Sequence, residues 1–196
     1  MPVSGFFSCP SSDIFPEQQI TLYPHRDSNN DWKVFNATDM DFASETEPIR
    51  FVENQARIKL RHTATEKHLH SHDFRPPVSD VDFQNEVSAY GMKGFIGDAN
   101  DDWIIEIEES ASADSLSKKR IRTLKTKFRL RHALTGCYLF SHKVKLPDWA
   151  YEQQEVTCNK NAARPNSLWF FETSVHPACA LFLFLNENSL TKPSPA

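Results

Sequence analysis

Apolar and polar residues alternate along much of this chain. Ile58-Lys59-Leu60-Arg61-His62 alternates, and so does Phe128-Arg129-Leu130-Arg131-His132; a period of two predicts half-buried strands. Trp103-Ile104-Ile105-Glu106-Ile107 and Trp169-Phe170-Phe171-Glu172 are dense in β-forming residues. Turn clusters lie between them: Arg75-Pro76-Pro77, Gly97-Asp98-Ala99-Asn100-Asp101 and Arg164-Pro165-Asn166. The best helical candidate, Glu108 to Lys119, is polar and Ser-rich and reads as a loop. The expected class is all-β.

The alternating runs belong to a repeated phrase. Leu60-Arg61-His62 leads through Thr65 to Leu69-His70-Ser71-His72; 132 − 62 = 70 residues on, Leu130-Arg131-His132 leads through Thr135 to Leu139-Phe140-Ser141-His142. Asn85-Glu86-Val87-Ser88 and Gln154-Glu155-Val156-Thr157 follow, and Gln18-Gln19-Ile20-Thr21 is a third copy of that half. Each copy runs to a tryptophan (Trp32, Trp103, Trp169) three residues after an asparagine (Asn29, Asn100, Asn166). Three supersecondary units are implied. They cover about 18–40, 50–109 and 121–173, and the first lacks its front half. About four short strands per full repeat, three times over, fit a closed β-trefoil better than a sandwich or a solenoid, which wants more copies and end caps. Residues 1–17 and 174–196 lie outside the repeats. A lobe short of two strands exposes its neighbours' edges. Either the first residues or Ala180-Leu181-Phe182-Leu183-Phe184-Leu185 are predicted to fill the gap.

Composition narrows the function classes. The 196 residues fit one domain with a sizeable core. The net charge of −4 argues against a broad nucleic-acid or anionic-membrane surface. Lys59, Arg61, Arg129 and Arg131 are interleaved with apolar residues and read as the wet face of strands. The longest apolar run, Ala178 to Leu185, falls far short of the roughly 20 residues a spanning helix needs. The start of the chain does not read as a signal peptide. Of four cysteines, Cys137 and Cys158 lie in the third repeat. On neighbouring strands they would reach disulfide distance; two buried free thiols are the equal alternative. Asn36-Ala37-Thr38 is an N-glycosylation acceptor triplet, a weak pointer to the secretory pathway.

The histidines draw the eye. His62 and His132 share strand parity with apolar residues and read as core imidazoles bonded to backbone, with the same role in each lobe. His68, His70 and His72 would share one face of an extended stretch, and imidazoles at i, i+2 can chelate zinc or copper. Tyr138 and Phe140 replace the first two in the third repeat, so the expectation is no metal and no cofactor. Asp98-x-Asn100-x-Asp102 imitates a calcium loop, but Trp103 stands where glycine should be, so it reads as turn chemistry. No nucleophile elbow, nucleotide loop or zinc-protease motif occurs, and no catalytic residue is assigned.

The phrase LRHxxTxxxLHSH, then a Gln/Glu-Val-Thr/Ser strand and Asn-x-x-Trp, resembles the MIR repeat. That module is shared by protein O-mannosyltransferases, stromal-cell-derived-factor-2-like proteins and the inositol trisphosphate and ryanodine receptors. Gln19 to His25, Glu86 to Gly91 and Glu152 to Cys158 resemble the mannosyltransferases most, and within them the fungal type-two subfamily. The resemblance implies a β-trefoil in the endoplasmic-reticulum lumen, borne on a loop between transmembrane helices. The parent enzyme it implies moves mannose from dolichyl-phosphate mannose to Ser or Thr, with its catalytic acids in another loop. The module itself is implied to be non-catalytic and to bind acceptor polypeptide or glycan, with other mannosyltransferase subunits as further partners. A purely structural or partner-docking role, or service within a full mannosyltransferase, is the alternative. One shallow polar pocket per lobe is expected. The second repeat would supply Arg61, His70, His72, Glu86, Tyr90 and Asn100, and the third Arg131, Ser141, His142, Gln154 and Glu155.

Overall fold

The structure is a computed structural model that describes residues 3–4, 17–37, 51–79, 84–173 and 181–185. In chain order its strands are β1 (Val3–Ser4), β2 (Gln18–Gln19), β3 (Thr21–Leu22), β4 (Asp31–Asn36), β5 (Arg57–His62), β6 (His68–Ser71), β7 (Gln84–Tyr90), β8 (Trp103–Ile107), β9 (Phe128–His132), β10 (Tyr138–Lys145), β11 (Gln154–Asn159), β12 (Trp169–Thr173) and β13 (Leu181–Leu185). Short 3-10 turns and loops join them. Glu108 to Lys119 is one of these loops, with a single 3-10 turn at Glu109–Ala111.

Six strands close a barrel in the order β4-β5-β8-β9-β12-β13 and back to β4, every pair antiparallel. Hairpins β6-β7 and β10-β11 cap one end. They meet each other through Thr157↔Glu86, while β2 and β3 of the short first lobe pair with β7 and β11. This is a β-trefoil, and closure leaves no barrel edge unpaired.

The core repeats by threes because the sequence does. Trp32, Trp103 and Trp169 are at most 1% exposed, and Ile20, Val87 and Val156 are fully buried. Leu60 and Leu130 point the same way from β5 and β9. Each such side chain contributes about 1.5–3 kcal/mol by leaving water. The basic residues between them do not all face solvent as alternation suggests. Lys59 is 5% exposed, because its Nζ meets Asp102 Oδ1 at 2.6 Å and the Asp98 carbonyl. A carboxylate on the neighbouring turn makes burial of that ammonium tolerable.

The gap in the first lobe is filled from both ends of the chain. Residues Leu181–Leu185 pair with β12 on one side and β4 on the other. The register Trp169↔Leu185 matches Trp103↔His132 and Trp32↔His62, so β13 stands where the missing first strand belongs. Val3 and Ser4 pair with Leu22 and Thr21, as Leu69 and His70 pair with Ala89 and Ser88.

Local turns repeat as well. Glu66 N–H bonds the His62 carbonyl at 2.9 Å, and Gly136 N–H bonds that of His132 at 3.0 Å. Both residues are left-handed, with φ of 56° and 72°. Glycine suits that conformation and glutamate does not. Just beyond Gly136, Cys137 is joined to Cys158 by a disulfide, with Cα atoms 5.3 Å apart and a separation of 21 residues.

Thermal unfolding should find Gly136→Ala less stable by about 1 kcal/mol, and Glu66→Gly no less stable than the parent. Replacing Cys137 and Cys158 together by alanine should cost about 2–4 kcal/mol in a denaturant titration.

Candidate functional site

Two histidines tie the lobes together. His62 Nε2 lies 3.0 Å from the Asn29 carbonyl and Nδ1 lies 2.8 Å from Thr65 Oγ1. His132 Nε2 lies 2.9 Å from the Asn100 carbonyl and Nδ1 lies 2.8 Å from Thr135 Oγ1. A carbonyl only accepts, so Nε2 carries the proton and Nδ1 accepts from the hydroxyl. Each ring packs on a tryptophan, Trp32 at 5.1 Å and Trp103 at 5.0 Å between centroids. Burial holds both imidazoles below their ordinary 6.5, against the opposing pull of the carbonyl bonds. These histidines are structural, as their strand parity implied.

The second lobe gathers a different set. Asp101 is fully buried; its Oδ2 accepts from the Asp98 N–H at 2.6 Å, and its Oδ1 lies 2.8 Å from His70 Nδ1. Gly97 makes room for this carboxylate, since with φ of 87° a Cβ there would sit 2.7 Å from Asp101 Oδ2. The carboxylate only accepts, so His70 Nδ1 donates and Nε2 is left with a lone pair. That Nε2 stands 3.2 Å from His72 Nδ1. His72 Nε2 faces Glu86 Oε2 at 3.8 Å. The Tyr90 ring lies 4.9 Å from His70, and Phe74, 66% exposed, lies 4.5 Å from His72. Burial and the nearby Glu17 carboxylate push Glu86 up to about 7.

The third lobe uses the equivalent pair as a staple. His142 Nε2 meets Glu155 Oε2 at 3.2 Å and Ser79 Oγ at 3.1 Å. Glu155 Oε1 accepts from the N–H groups of Val78 at 3.0 Å and Ser79 at 3.3 Å. Burial raises the Glu155 carboxyl, but bonds from His142, Ser79 and the two amides outweigh it and hold the group below its usual value. The Glu155 side chain is 0% exposed, against 16% for Glu86. One carboxylate is sealed beneath the Val78–Ser79 segment and the other stays accessible.

Of the expected binding residues, His70, His72, Glu86 and Tyr90 come together. His142, Glu155 and Ser141 also meet, through the staple; Ser141 Oγ donates to the Glu155 carbonyl at 2.9 Å. Gln154 Oε1 beside them is buried and finds no partner among the described residues. Arg61 lays its guanidinium 4.5 Å over Phe35. Arg131 is paired with Glu106 at 2.6 Å, whose other oxygen accepts from Tyr138 Oη at 3.0 Å. Asn100 uses its carbonyl on His132. Asp101 and Glu17 were not among the expected residues. Asp101 was hidden in a run that reads as turn chemistry, and no motif marks Glu17. Asn36, the glycosylation candidate, is exposed at the end of β4, while Thr38 lies outside the described residues.

Residues 6–179 match the MIR domain family model, and the chain belongs to that family. It is 49% identical over 164 residues to dolichyl-phosphate-mannose–protein mannosyltransferase 1 of Saccharomyces cerevisiae, covering 82% of this chain and 20% of that protein. A solved structure of the S. cerevisiae protein O-mannosyltransferase complex bound to its sugar donor superposes with a TM-score of 0.77 at 45% identity, over 89% of this chain and 23% of that one. The SDF2-like protein of Arabidopsis thaliana superposes with a TM-score of 0.68 at 28% identity, over 86% and 83%. The chain thus spans about a fifth of the mannosyltransferases it resembles. The expected kinship to the type-two subfamily finds no support in these identities: mannosyltransferase 2 of Candida albicans is 34% identical.

The two lobe-tying histidines set a pH dependence. Their folded values lie below 6.5, so the unfolded chain takes up protons first as pH falls. Stability should decline below about pH 6.5 and level off only beneath the folded values. Denaturant midpoints at pH 7.5 and 5.5 check this in a Glu86→Gln background, which removes a carboxyl pushed up to about 7 that works the opposite way over the same range. Glu155→Gln, which weakens the staple, should cost about 1.5–3 kcal/mol in the same titration.

Proposed function

We propose that this trefoil is the non-catalytic recognition module of a protein O-mannosyltransferase and binds acceptor polypeptide or glycan on its second lobe. One observation carries the reading: the His72–Glu86 pair stays partly exposed, with Phe74 against His72 and Tyr90 against the adjoining His70, whereas its counterpart in the third lobe is sealed. Planar polar groups beside aromatic faces are what sugar hydroxyls and extended peptides bind. Pocket residues around this pair would include His70 and Tyr90. Arg61 and Asn100 would border it, and the third-lobe residues would serve the fold first.

The family supports a place in the endoplasmic-reticulum lumen, and the Cys137–Cys158 bridge fits an oxidising compartment. The exposed Asn36 would carry glycan there. Mannosyl transfer would need the remainder of a polytopic enzyme and its partner subunits. Among the described residues no helix is long and apolar enough to cross a membrane. A docking role without a small ligand is the competing reading.

Titration of the 15N-labelled chain with mannosylated and unmodified Ser/Thr-rich peptides separates the two. Shifts should cluster at His70, His72, Glu86 and Tyr90, and Tyr90→Ala should weaken binding about tenfold. Unperturbed spectra with both ligand classes would leave only the docking role. Mannosyl transfer by this polypeptide alone would overturn the non-catalytic assignment.

A further inference from the structure

His70 and His72 each turn one ring nitrogen to a carboxylate and the other toward its neighbour. His70 Nδ1 is committed to Asp101, and His72 Nε2 faces Glu86. The two remaining nitrogens, His70 Nε2 and His72 Nδ1, are 3.2 Å apart. Glu17, from the segment just before β2, brings a carboxylate oxygen beside them, within 4.8 Å of a ring nitrogen of each histidine. We propose that Glu17, His70 and His72 form a binding site for one divalent transition-metal ion, with zinc the best match to two imidazoles and a carboxylate.

The geometry fits such an ion. Zinc–nitrogen bonds of about 2.0–2.1 Å at tetrahedral angles place neighbouring donors roughly 3.3 Å apart. The imidazole pair already has that spacing. The Glu17 oxygen lies within 4.8 Å of both, and a glutamate at a half-buried position has the side-chain freedom to close to bonding distance. A fourth position would be left for water or a ligand atom.

The surroundings fit as well. Metal-bound histidines nearly always donate their other N–H to a carboxylate, which fixes the tautomer. His70 has one in hydrogen-bond contact, Asp101 at 2.8 Å, and His72 Nε2 has Glu86 facing it at 3.8 Å. Without an ion, His72 Nδ1–H donates to His70 Nε2, and the His72 Nε2 lone pair faces Glu86. With an ion on Nδ1, the proton moves to Nε2 and points at that carboxylate. The other grouping of donors here, His70 with Asp98 and Asp101, is already spent, since Asp101 accepts from His70 and from the Asp98 N–H. The third lobe has Phe140 in place of His70, so the site would belong to one lobe. The absence of metal expected from that same substitution rested on symmetry, which Glu17 and Asp101 do not obey.

Metal binding is measured without any acceptor, so its outcome is independent of the proposed glycan or peptide recognition. The full chain, tag-free and with Cys9 and Cys179 changed to serine to remove thiol background, is stripped with chelator. It is then titrated with zinc against a chromogenic chelator, and separately with cobalt followed by visible absorption. Uptake of one ion per chain is expected, with the intense cobalt bands of a four-coordinate site. Long-range 1H–15N spectra should place the metal on Nε2 of His70 and Nδ1 of His72. His72→Ala and Glu17→Gln should each weaken binding at least about tenfold, and Asp101→Asn about 10–100-fold. The exposed His25→Ala should change nothing. Glu17→Gln keeps the shape of a half-buried side chain, so it decides the matter even if His72→Ala fails to fold. No stoichiometric uptake, or uptake undiminished in Glu17→Gln with His70 and His72 ring shifts unmoved, overturns the site.

Discussion

An imidazole held between a threonine hydroxyl and the carbonyl of the preceding lobe is the joint on which this trefoil turns. His62 reaches back to Asn29 and His132 reaches back to Asn100, each with its second nitrogen on the threonine three residues on. The bond fixes the asparagine turn, the turn aims the next tryptophan, and the tryptophan packs on the same imidazole. A buried ring nitrogen without its partner would cost about 1–3 kcal/mol. The motif LRHxxT and the motif Asn-x-x-Trp are therefore two halves of one contact, and neither makes sense alone.

The third seam shows what happens when that contact cannot form. The strand residues Leu181–Leu185 complete the barrel in register, but leucine occupies the histidine position beside Trp169. Barrel closure therefore requires backbone pairing, whereas lobe-to-lobe locking requires the side chain. Trp103 and Trp169 donate their indole N–H to the carbonyls of Leu69 and Leu139 at 2.9 and 3.0 Å. The Trp32 N–H is buried and finds no such acceptor among the described residues. The short first lobe keeps a buried tryptophan like its companions and, among the described residues, lacks their indole bond and their histidine joint.

Periodicity made the architecture readable before any coordinates. The spacing of His62 and His132, the three tryptophans and the three Val/Ile strands all mark positions that symmetry forces to be alike. The same reasoning fails where neighbouring lobes meet through residues that do not repeat. Lys59 looked like a solvent-facing cation by strand parity, yet Asp102 from the next turn draws it inside. Glu155 looked like a ligand contact, yet the Val78–Ser79 backbone closes over it. Asp101 sat in a run of turn-forming acids with nothing to distinguish it, and its role appears only once β6 lies against that turn. Such contacts join stretches many residues apart with no matching partner elsewhere in the chain, so no pattern announces them.

Chemistry on a repeated frame must come from departures from the repeat. Positions 72 and 142 are both histidine, and positions 86 and 155 are both glutamate, so the frame delivers the same pair twice. What differs is the company each pair keeps. In the third lobe Phe140 and the Ser79 hydroxyl convert it into a closed strut. In the second lobe His70, Tyr90 and Glu17 surround it with donors and an aromatic face, and Asp101 fixes which nitrogen is free. A symmetric domain can give up one such site without loss of fold, because the lobe-tying histidines lie on other strands, β5 and β9. Stability and recognition thus rest on different residues of the same two-strand phrase, and for that reason the second lobe can specialise while the third holds the cap together.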